Sequence, residues 1–313
     1  MQLQSLSQGL WPVMLTPFSY NNKVDLKSLK ELTEFYIQSG ASGLFANCLS
    51  SEMFQLTESE RLQIVSTVVK IASKYKLNVA ATGTFSTDMT ESADFIKKVF
   101  DTGVAAVVII SNQLGHIEDD ETVVKKNLEK LIKHTKNIPL GIYECPYPYK
   151  RLVSPSLIKW MEQTQVFYYM KDTSCNPLAI EKKVAAIKGT RFSLYNANTA
   201  TALSSLEMGA SGLSPIGANF YPELYKYMLD NYRKKEKKES LQKLNDRLNV
   251  MEGIASKCYP YSAKLFLQSR KLNLTTQCRI QHENMRTEDY INVKSLEAMR
   301  CSVMEEFDIK SQK

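Results

Sequence analysis

The sequence has little of what a metal site needs. Three histidines, His116, His134 and His282, are spread over 313 residues without ligand-like spacing, and the six cysteines form no CxxC pair. A zinc or other resident metal site is therefore not expected. Scattered cysteines in a chain of this length are typical of reduced thiols, so we expect a cytoplasmic protein.

Long apolar runs and targeting signals are also missing. No stretch approaches the roughly 18 apolar residues of a membrane span, and Met1 to Ser7 lacks the basic region and apolar core of a signal peptide. No GxGxxG turn follows the first apolar run, which argues against a dinucleotide site. The net charge of +7 is concentrated at residues 233–239, where acids alternate with bases and aromatics are lacking. This favours a solvated helix face, so we expect neither a membrane nor a nucleic-acid partner.

What the sequence does have is a regular alternation of short apolar runs and amphipathic stretches. The run 105–110 is β-branched and predicts a strand, and residues 57–60 form a capping box that predicts a helix start. Eight such strand–helix units predict an α/β fold, a parallel (β/α)8 TIM barrel. We predict the barrel over residues 1–232 and a C-terminal helical appendage over 233–313. Its apolar positions are Leu241, Leu244, Leu248, Met251 and Ile254.

Barrels of this kind carry their active sites at the C-terminal ends of the strands. Lys171 follows the apolar and aromatic run 166–170, and Tyr143 ends the preceding strand. A buried lysine amine loses its proton more readily and becomes a nucleophile, and a phenol can relay protons. An exposed lysine at a strand end is the alternative that position alone leaves open. The other strand ends carry Thr16, residues 47–52, Thr82, residues 111–113, Asn196 and Ser214.

Several segments, in order along the chain, resemble the dihydrodipicolinate synthase / N-acetylneuraminate lyase family of pyruvate-dependent class I aldolases. The resemblance spans roughly residues 8–270, and Tyr143 and Lys171 are 28 residues apart, as in that family. The segments that carry it are Thr16-Pro17-Phe18, Leu49-Ser50-Ser51-Glu52, Tyr143-Glu144-Cys145-Pro146, Lys171-Asp172-Thr173-Ser174 and Gly209 to Asn219.

The resemblance implies roles for individual residues. Lys171 would form a Schiff base with pyruvate or another 2-oxo acid, and Tyr143 would shuttle protons and orient that acid. Ser50, with the backbone N–H groups of the Ser50-Ser51 turn, would hold the carboxylate, and the backbone near Ser214 would line the imine. Thr16 is counted with the substrate-binding residues. The resemblance implies no metal or organic cofactor, and it implies a homo-oligomer, a tetramer or a dimer.

The chain departs from the family pattern at positions that bear on the substrate. Leu49 replaces a hydroxyl residue of the proton relay, Gln113 and Leu114 replace an aromatic pair, and Pro148 replaces an arginine. These departures argue against dihydrodipicolinate synthase activity. The acidic residues of the sialic-acid branch are also missing, because Thr199 and Ala200 stand in their places.

Replacement residues are present nearby. Arg151 and Lys150 are candidates for binding a second carboxylate or a phosphate, with a solvated basic pair as the alternative. Glu144 is either an acid–base group or a buried partner of Arg151. Asn196 and Asn198 either contact substrate hydroxyls or cap the next helix. Three cysteines, Cys48, Cys145 and Cys175, also follow predicted strands. They are either small packing residues, a redox-sensitive rim of the site or ligands of a soft metal.

Three functions stay open at this point. The first is reversible aldol cleavage of a 2-oxo-4-hydroxy acid to pyruvate and an aldehyde through an imine on Lys171. The second is a Schiff-base dehydratase, with or without decarboxylation, of a 3-deoxy-2-oxo sugar acid. The third is a non-catalytic barrel that binds a 2-oxo acid.

Overall fold

The structure is a computed structural model that describes residues 5–281 and 285–310. His282 and the first four residues of the Met1 to Ser7 stretch lie outside the described residues. Eight strands alternate with helices as the sequence predicts. The strands are β1 (Gly9–Leu10), β2 (Gly43–Ala46), β3 (Asn78–Thr82), β4 (Ala106–Ile110), β5 (Leu140–Tyr143), β6 (Phe167–Asp172), β7 (Ser193–Asn196) and β8 (Gly212–Leu213).

Each strand is followed by a helix, and several of these helices begin at a capping side chain. The capping box predicted at Thr57 is confirmed, since the Thr57 side chain and the Glu60 side chain each accept the other's backbone N–H. Asp25, Asp88 and Asp120 cap three further helices, since each side chain accepts backbone N–H groups of the first turn. The barrel helices are α1 (Leu26–Gln38), α2 (Glu58–Ala72), α3 (Met89–Phe100), α4 (Glu121–Thr135), α5 (Pro155–Gln163), α6 (Pro177–Ile187), α7 (Ala202–Met208) and α8 (Pro222–Asn231).

The eight strands form one parallel sheet in the order β1-β8-β7-β6-β5-β4-β3-β2. The chain after β1 closes it against β2, because Phe45 N–H donates to Pro12 O and Met14 N–H donates to Phe45 O, both at 3.0 Å. A parallel bridge pairs Val13 with Phe45 at the same place. The predicted (β/α)8 barrel is therefore confirmed.

Aromatic side chains fill the inside of the barrel. Trp11 lies 5.3 Å from Tyr169 and 5.0 Å from Tyr195, measured between ring centroids, and all three rings are fully buried. Gly43 has no room for a side chain, because a Cβ there would lie 2.3 Å from the Trp11 ring. These large rings fill the barrel interior. The C-terminal ends of the strands lie above them and surround the mouth of the barrel.

Three more helices follow the barrel: α9 (Lys238–Ala255), α10 (Tyr261–Ser269) and α11 (Thr287–Glu306). The predicted apolar stripe of α9 is buried at Leu241, Leu244, Leu248 and Met251. The domain boundary between residues 232 and 233 stays a prediction. Among the described residues, no helix is long and apolar enough to cross a membrane.

Candidate active site

A cavity of about 780 Å³ opens at the C-terminal ends of the strands, a size that suits a small-molecule ligand. Its floor and walls come from the loops after β2, β5, β6, β7 and β8. Residues between 252 and 281 close the remaining side. Lys171, Tyr143 and Ser50 all line this cavity, so the structure brings together three of the residues that the sequence singles out.

Lys171 lies inside β6, which extends two residues further than the predicted run. Its side chain is buried, and its Nζ lies 4.8 Å from the centre of the Tyr143 ring and 5.8 Å from that of Phe45. None of the ion pairs among the described residues includes Lys171. Burial among rings lowers the pKa of the Lys171 amine below its usual value, because a charged amine is poorly solvated there. The exposed-lysine alternative is therefore excluded.

Tyr143 is the direct neighbour of Lys171 across the β5–β6 pair. Its ring packs edge-on against Phe45, with the centroids 5.6 Å apart. Burial raises the pKa of the Tyr143 phenol well above its usual range, so the group keeps its proton at neutral pH. It can therefore donate a hydrogen bond to an oxygen held near Lys171.

In the turn after β2, Ser50 lines the cavity. The hydroxyls of Ser51 and of Thr16 instead donate hydrogen bonds to backbone carbonyls. The Ser51 hydroxyl donates to Met14 O at 2.6 Å, and its backbone N–H donates to Cys48 O at 2.9 Å. The Thr16 hydroxyl donates to Ser51 O at 2.8 Å. Ser51 and Thr16 thus shape the turn, which leaves Ser50 as its cavity-lining hydroxyl.

Three other predicted binding residues do not line the cavity. The Ser214 hydroxyl donates to Trp11 O at 2.7 Å. The Asn196 amide donates to the Thr201 and Ser205 hydroxyls, and its Oδ1 accepts the Asn198 N–H, so Asn196 holds the loop before α7 but does not cap that helix. The Arg151 guanidinium donates to the carbonyls of His116 and Asp119 and so braces the loop after β4.

Neighbours of those residues take their place at the cavity wall. Asn198 and Lys150 line the cavity, and Lys150 Nζ donates to Thr173 O at 2.9 Å. Lys150 is therefore the member of the basic pair that lies at the site.

Glu144 points away from the cavity into a buried ion cluster. Its carboxylate accepts from Lys183 Nζ, as does that of Asp172, each at 2.5 Å. It also accepts the backbone N–H groups of Val153 and Thr173. The sequence interpretation of Glu144 as a partner of Arg151 is wrong, because Lys183 of α6 reaches it instead.

The three cysteines near the strand ends are engaged separately. Each thiol donates to a nearby backbone carbonyl: Cys48 to Met14, Cys145 to Tyr147 and Cys175 to Thr173. Burial raises the pKa of the Cys145 thiol to about 11, which disfavours the thiolate that a metal would bind. Within the described part of the chain, no cluster of three or more His, Cys, Asp or Glu side chains could hold a metal ion.

The cavity also contains a carboxylate that sequence reasoning missed. Glu252 of α9 lines the same cavity as Lys171. Its Oε2 accepts hydrogen bonds from the hydroxyls of Thr199 and Tyr225 and from the N–H of Gly217. Burial raises the pKa of the Glu252 carboxyl above its usual value. Glu252 follows directly on the apolar stripe of α9, and no motif marks it.

Residues 279–281 line one side of the mouth, and ion pairs and hydrogen bonds hold this segment there. Glu52, after β2, pairs with Lys264 of α10 at 2.8 Å, and both side chains are fully buried. The Glu52 carboxylate also accepts the N–H groups of Arg279 and Ile280. Arg279 itself forms an ion pair with Glu60 at 2.7 Å.

The sequence model of the Dihydrodipicolinate synthetase family matches residues 6–297. The chain belongs to this family. A relative within it is the 4-hydroxy-tetrahydrodipicolinate synthase of Staphylococcus epidermidis, which is 24% identical over 230 residues, or 72% of this chain and 74% of that enzyme.

Solved structures of the family superpose over nearly the full length. A catalytic lysine mutant of the Ruminococcus gnavus sialic acid aldolase gives a TM-score of 0.86 at 19% identity, covering 98% of this chain and 100% of that one. The dihydrodipicolinate synthase DapA-2 of Bacillus anthracis gives 0.85 at 19%, covering 95% and 99%. A prophage protein of the family from E. coli K12, in complex with pyruvate, gives 0.84 at 17%, covering 95% and 99%. At these identities the likeness shows the shared fold.

Proposed function

We propose that this family member is a class I lyase that cleaves a 2-oxo-4-hydroxy acid reversibly to pyruvate and an aldehyde. The observation that carries the proposal is the position of Lys171, an amine buried among rings at the floor of an open cavity. Its lowered pKa favours the neutral form that attacks a carbonyl.

In the proposed reaction the Lys171 amine adds to the C2 carbonyl of the 2-oxo acid, and water leaves as the imine forms. The C4 hydroxyl gives up its proton, and the C3–C4 bond breaks to release the aldehyde. The electron pair of that bond moves into an enamine, with the imine nitrogen as its acceptor. Protonation at C3 and hydrolysis then release pyruvate and restore the amine.

We assign Tyr143 to the imine stage of this reaction. Its protonated phenol lies next to Lys171 and suits donation to the carbinolamine oxygen as water departs. Ser50 is proposed to hold the carboxylate, and Lys150 to attract a second anionic group at the mouth. The other substrate-binding assignments, at Ser51, Ser214, Asn196, Arg151 and Thr16, would act by holding the loops around the cavity.

The test is reductive trapping with pyruvate and borohydride, followed by intact-mass and peptide mass spectrometry. We expect one reduced pyruvyl adduct, located on Lys171. Lys171→Ala should lose the adduct, whereas the matched variant Lys150→Ala, at another cavity lysine, should retain it. A folded protein that binds pyruvate without an adduct would refute the lyase proposal and favour the non-catalytic binding barrel.

A dehydratase, with or without decarboxylation, of a 3-deoxy-2-oxo sugar acid is the second candidate. It is favoured by the cavity wall at Leu49, which has no hydroxyl for a relay, and by the acidic side chain of Glu252. Product analysis separates the two reactions, because aldol cleavage yields free pyruvate and dehydration does not.

We also propose a cytoplasmic homo-oligomer, a dimer or a tetramer. No disulfide is formed among the six cysteines, which supports a reducing compartment. Light scattering on the purified protein would give the number of subunits, and a monomeric mass would refute this part of the proposal.

A further inference from the structure

Glu252 differs from the two phenols of the cavity, Tyr143 and Tyr259, because a carboxylate can accept a proton at neutral pH. Burial drives the phenols of Tyr143 and Tyr259 well above their usual pKa, so neither can take up a proton at neutral pH. Burial instead raises the pKa of the Glu252 carboxyl above its usual acidic value, so this group holds its proton more readily than an exposed glutamate does.

The hydrogen bonds of Glu252 also leave it able to react. Thr199, Tyr225 and the Gly217 N–H all bond to Oε2. These donors come from the loops after β7 and β8 and from α8, and all three bond to the same oxygen of a carboxylate that lines the cavity. The charges of Glu252 and Lys171 interact, each favouring the ionised form of the other. Such a carboxylate is oriented before substrate arrives.

We propose that Glu252 is the acid–base residue that moves the proton at C3 of the Lys171-bound pyruvyl group. This rests on the proposed function above. In the imine, Oε1 removes a proton from the C3 methyl, and the C–H electron pair forms the C2–C3 double bond of the enamine as the imine nitrogen accepts electrons. The reverse step returns the proton to C3 after aldehyde release. The carboxylate of Glu252 thereby takes over the proton transfer for which a hydroxyl residue is missing at position 49, where this chain has Leu49.

The proposal can be tested with pyruvate alone, without knowing the aldehyde. In D₂O, wild-type protein should exchange the methyl protons of pyruvate for deuterium, as read by proton NMR. Glu252→Gln should slow this exchange by about 100-fold or more, yet form the borohydride-trapped adduct on Lys171 to the wild-type extent. The retained adduct shows that the variant is folded and binds pyruvate.

A matched control lies on the same helix. Glu239→Gln removes a carboxylate whose side chain is 86% exposed and should leave both adduct and exchange unchanged. Exchange in Glu252→Gln at the wild-type rate would overturn the proposal, as would an adduct in the wild type without any exchange. Loss of the adduct itself in Glu252→Gln would also overturn it, because Glu252 would then serve imine formation or folding. Absence of an adduct in the wild type would instead refute the proposed function.

Discussion

Lys183 and Lys264 are buried at least as deeply as Lys171, with 2%, 0% and 4% of their surfaces exposed, yet their surroundings differ. Lys183 lies between two carboxylates and Lys264 against one, at distances of 2.5 to 2.8 Å. Lys171 has aromatic rings and the cavity around it instead. A buried charge is retained when carboxylates and hydrogen bonds compensate it. An amine without such a partner gives up its proton more easily, and the comparison therefore separates two lysines in ion pairs from the one that we propose to be reactive.

The sharpest test of the comparison is to replace the reactive lysine by methionine. Lys171→Met should abolish the pyruvate adduct completely, while the free energy of unfolding stays the same or rises, because an uncompensated buried amine is removed. Trapping by mass spectrometry and urea unfolding measure the two effects. A large loss of stability would show that Lys171 has a structural partner after all.

The opposite pattern is expected at Lys183. Lys183→Met leaves Glu144 and Asp172 buried without their cation, so the free energy of unfolding should fall by about 3–5 kcal/mol. Protein that remains folded should still form the adduct on Lys171. The neighbouring exposed lysine offers the control, and Lys182→Met should change stability little. Equal effects at 182 and 183 would contradict the assigned role of the ion cluster.

The pH dependence sharpens the comparison further. The pKa of Lys171 is lower in the folded chain than the usual 10.5, so between these two values the unfolded chain binds more protons. Stability should therefore rise with pH across that window. The rate of adduct trapping should rise over the lower part of it, as the amine becomes neutral. Unfolding curves at several alkaline pH values measure this pH dependence for wild type and for Lys171→Met. The difference in pH dependence between the two proteins should vanish if the pKa of Lys171 is the same in the folded and unfolded chains.

The smallest effect is expected at the partly exposed pair of Arg279 and Glu60. The hydrogen bonds from Arg279 lower the pKa of Glu60 to about 2. The contribution of this pair to stability is therefore present above the usual glutamate pKa and is lost as pH falls towards 2. At neutral pH Glu60→Gln should cost about 1 kcal/mol, since both side chains retain some contact with water. A loss of free energy of unfolding as large as that of Lys183→Met would show that this pair stabilises the fold as strongly as the buried ion pairs do.

The strands, and the position of Lys171 beside Tyr143 at the cavity, could be predicted from the sequence because their signals are local. Apolar runs rich in β-branched and aromatic residues mark the strands, and Lys171 and Tyr143 sit where two such runs end. Arg151 shows the limit of this reasoning, because a basic residue beside the site has the same sequence signal whether it faces substrate or braces a loop. Its carbonyl partners lie 32 and 35 residues away.

Glu252 could not be predicted for a related reason. Its place in the cavity depends on how α9 packs against the loops after β7 and β8, which no local pattern encodes. The sequence around Thr199 and Ala200 lacks the acids of the sialic-acid branch, yet the Thr199 hydroxyl donates a hydrogen bond to the carboxylate of Glu252 from α9. The hydroxyl at position 199 and the carboxylate at position 252 are therefore partners, although they are more than fifty residues apart and only the folded structure shows their contact.

Part of the cavity wall comes from segments outside the barrel sheet, and this affects how the substrate preference of the protein can be altered by mutation. Lys171, the proposed nucleophile, belongs to a strand that is paired on both sides. Glu252, Tyr259 and residues 279–281 belong to segments outside the sheet. Substitutions at Tyr259 and at residues 279–281 can therefore reshape the pocket for a different substrate without changing a barrel strand. Laboratory evolution of substrate choice should therefore begin in the last quarter of the chain.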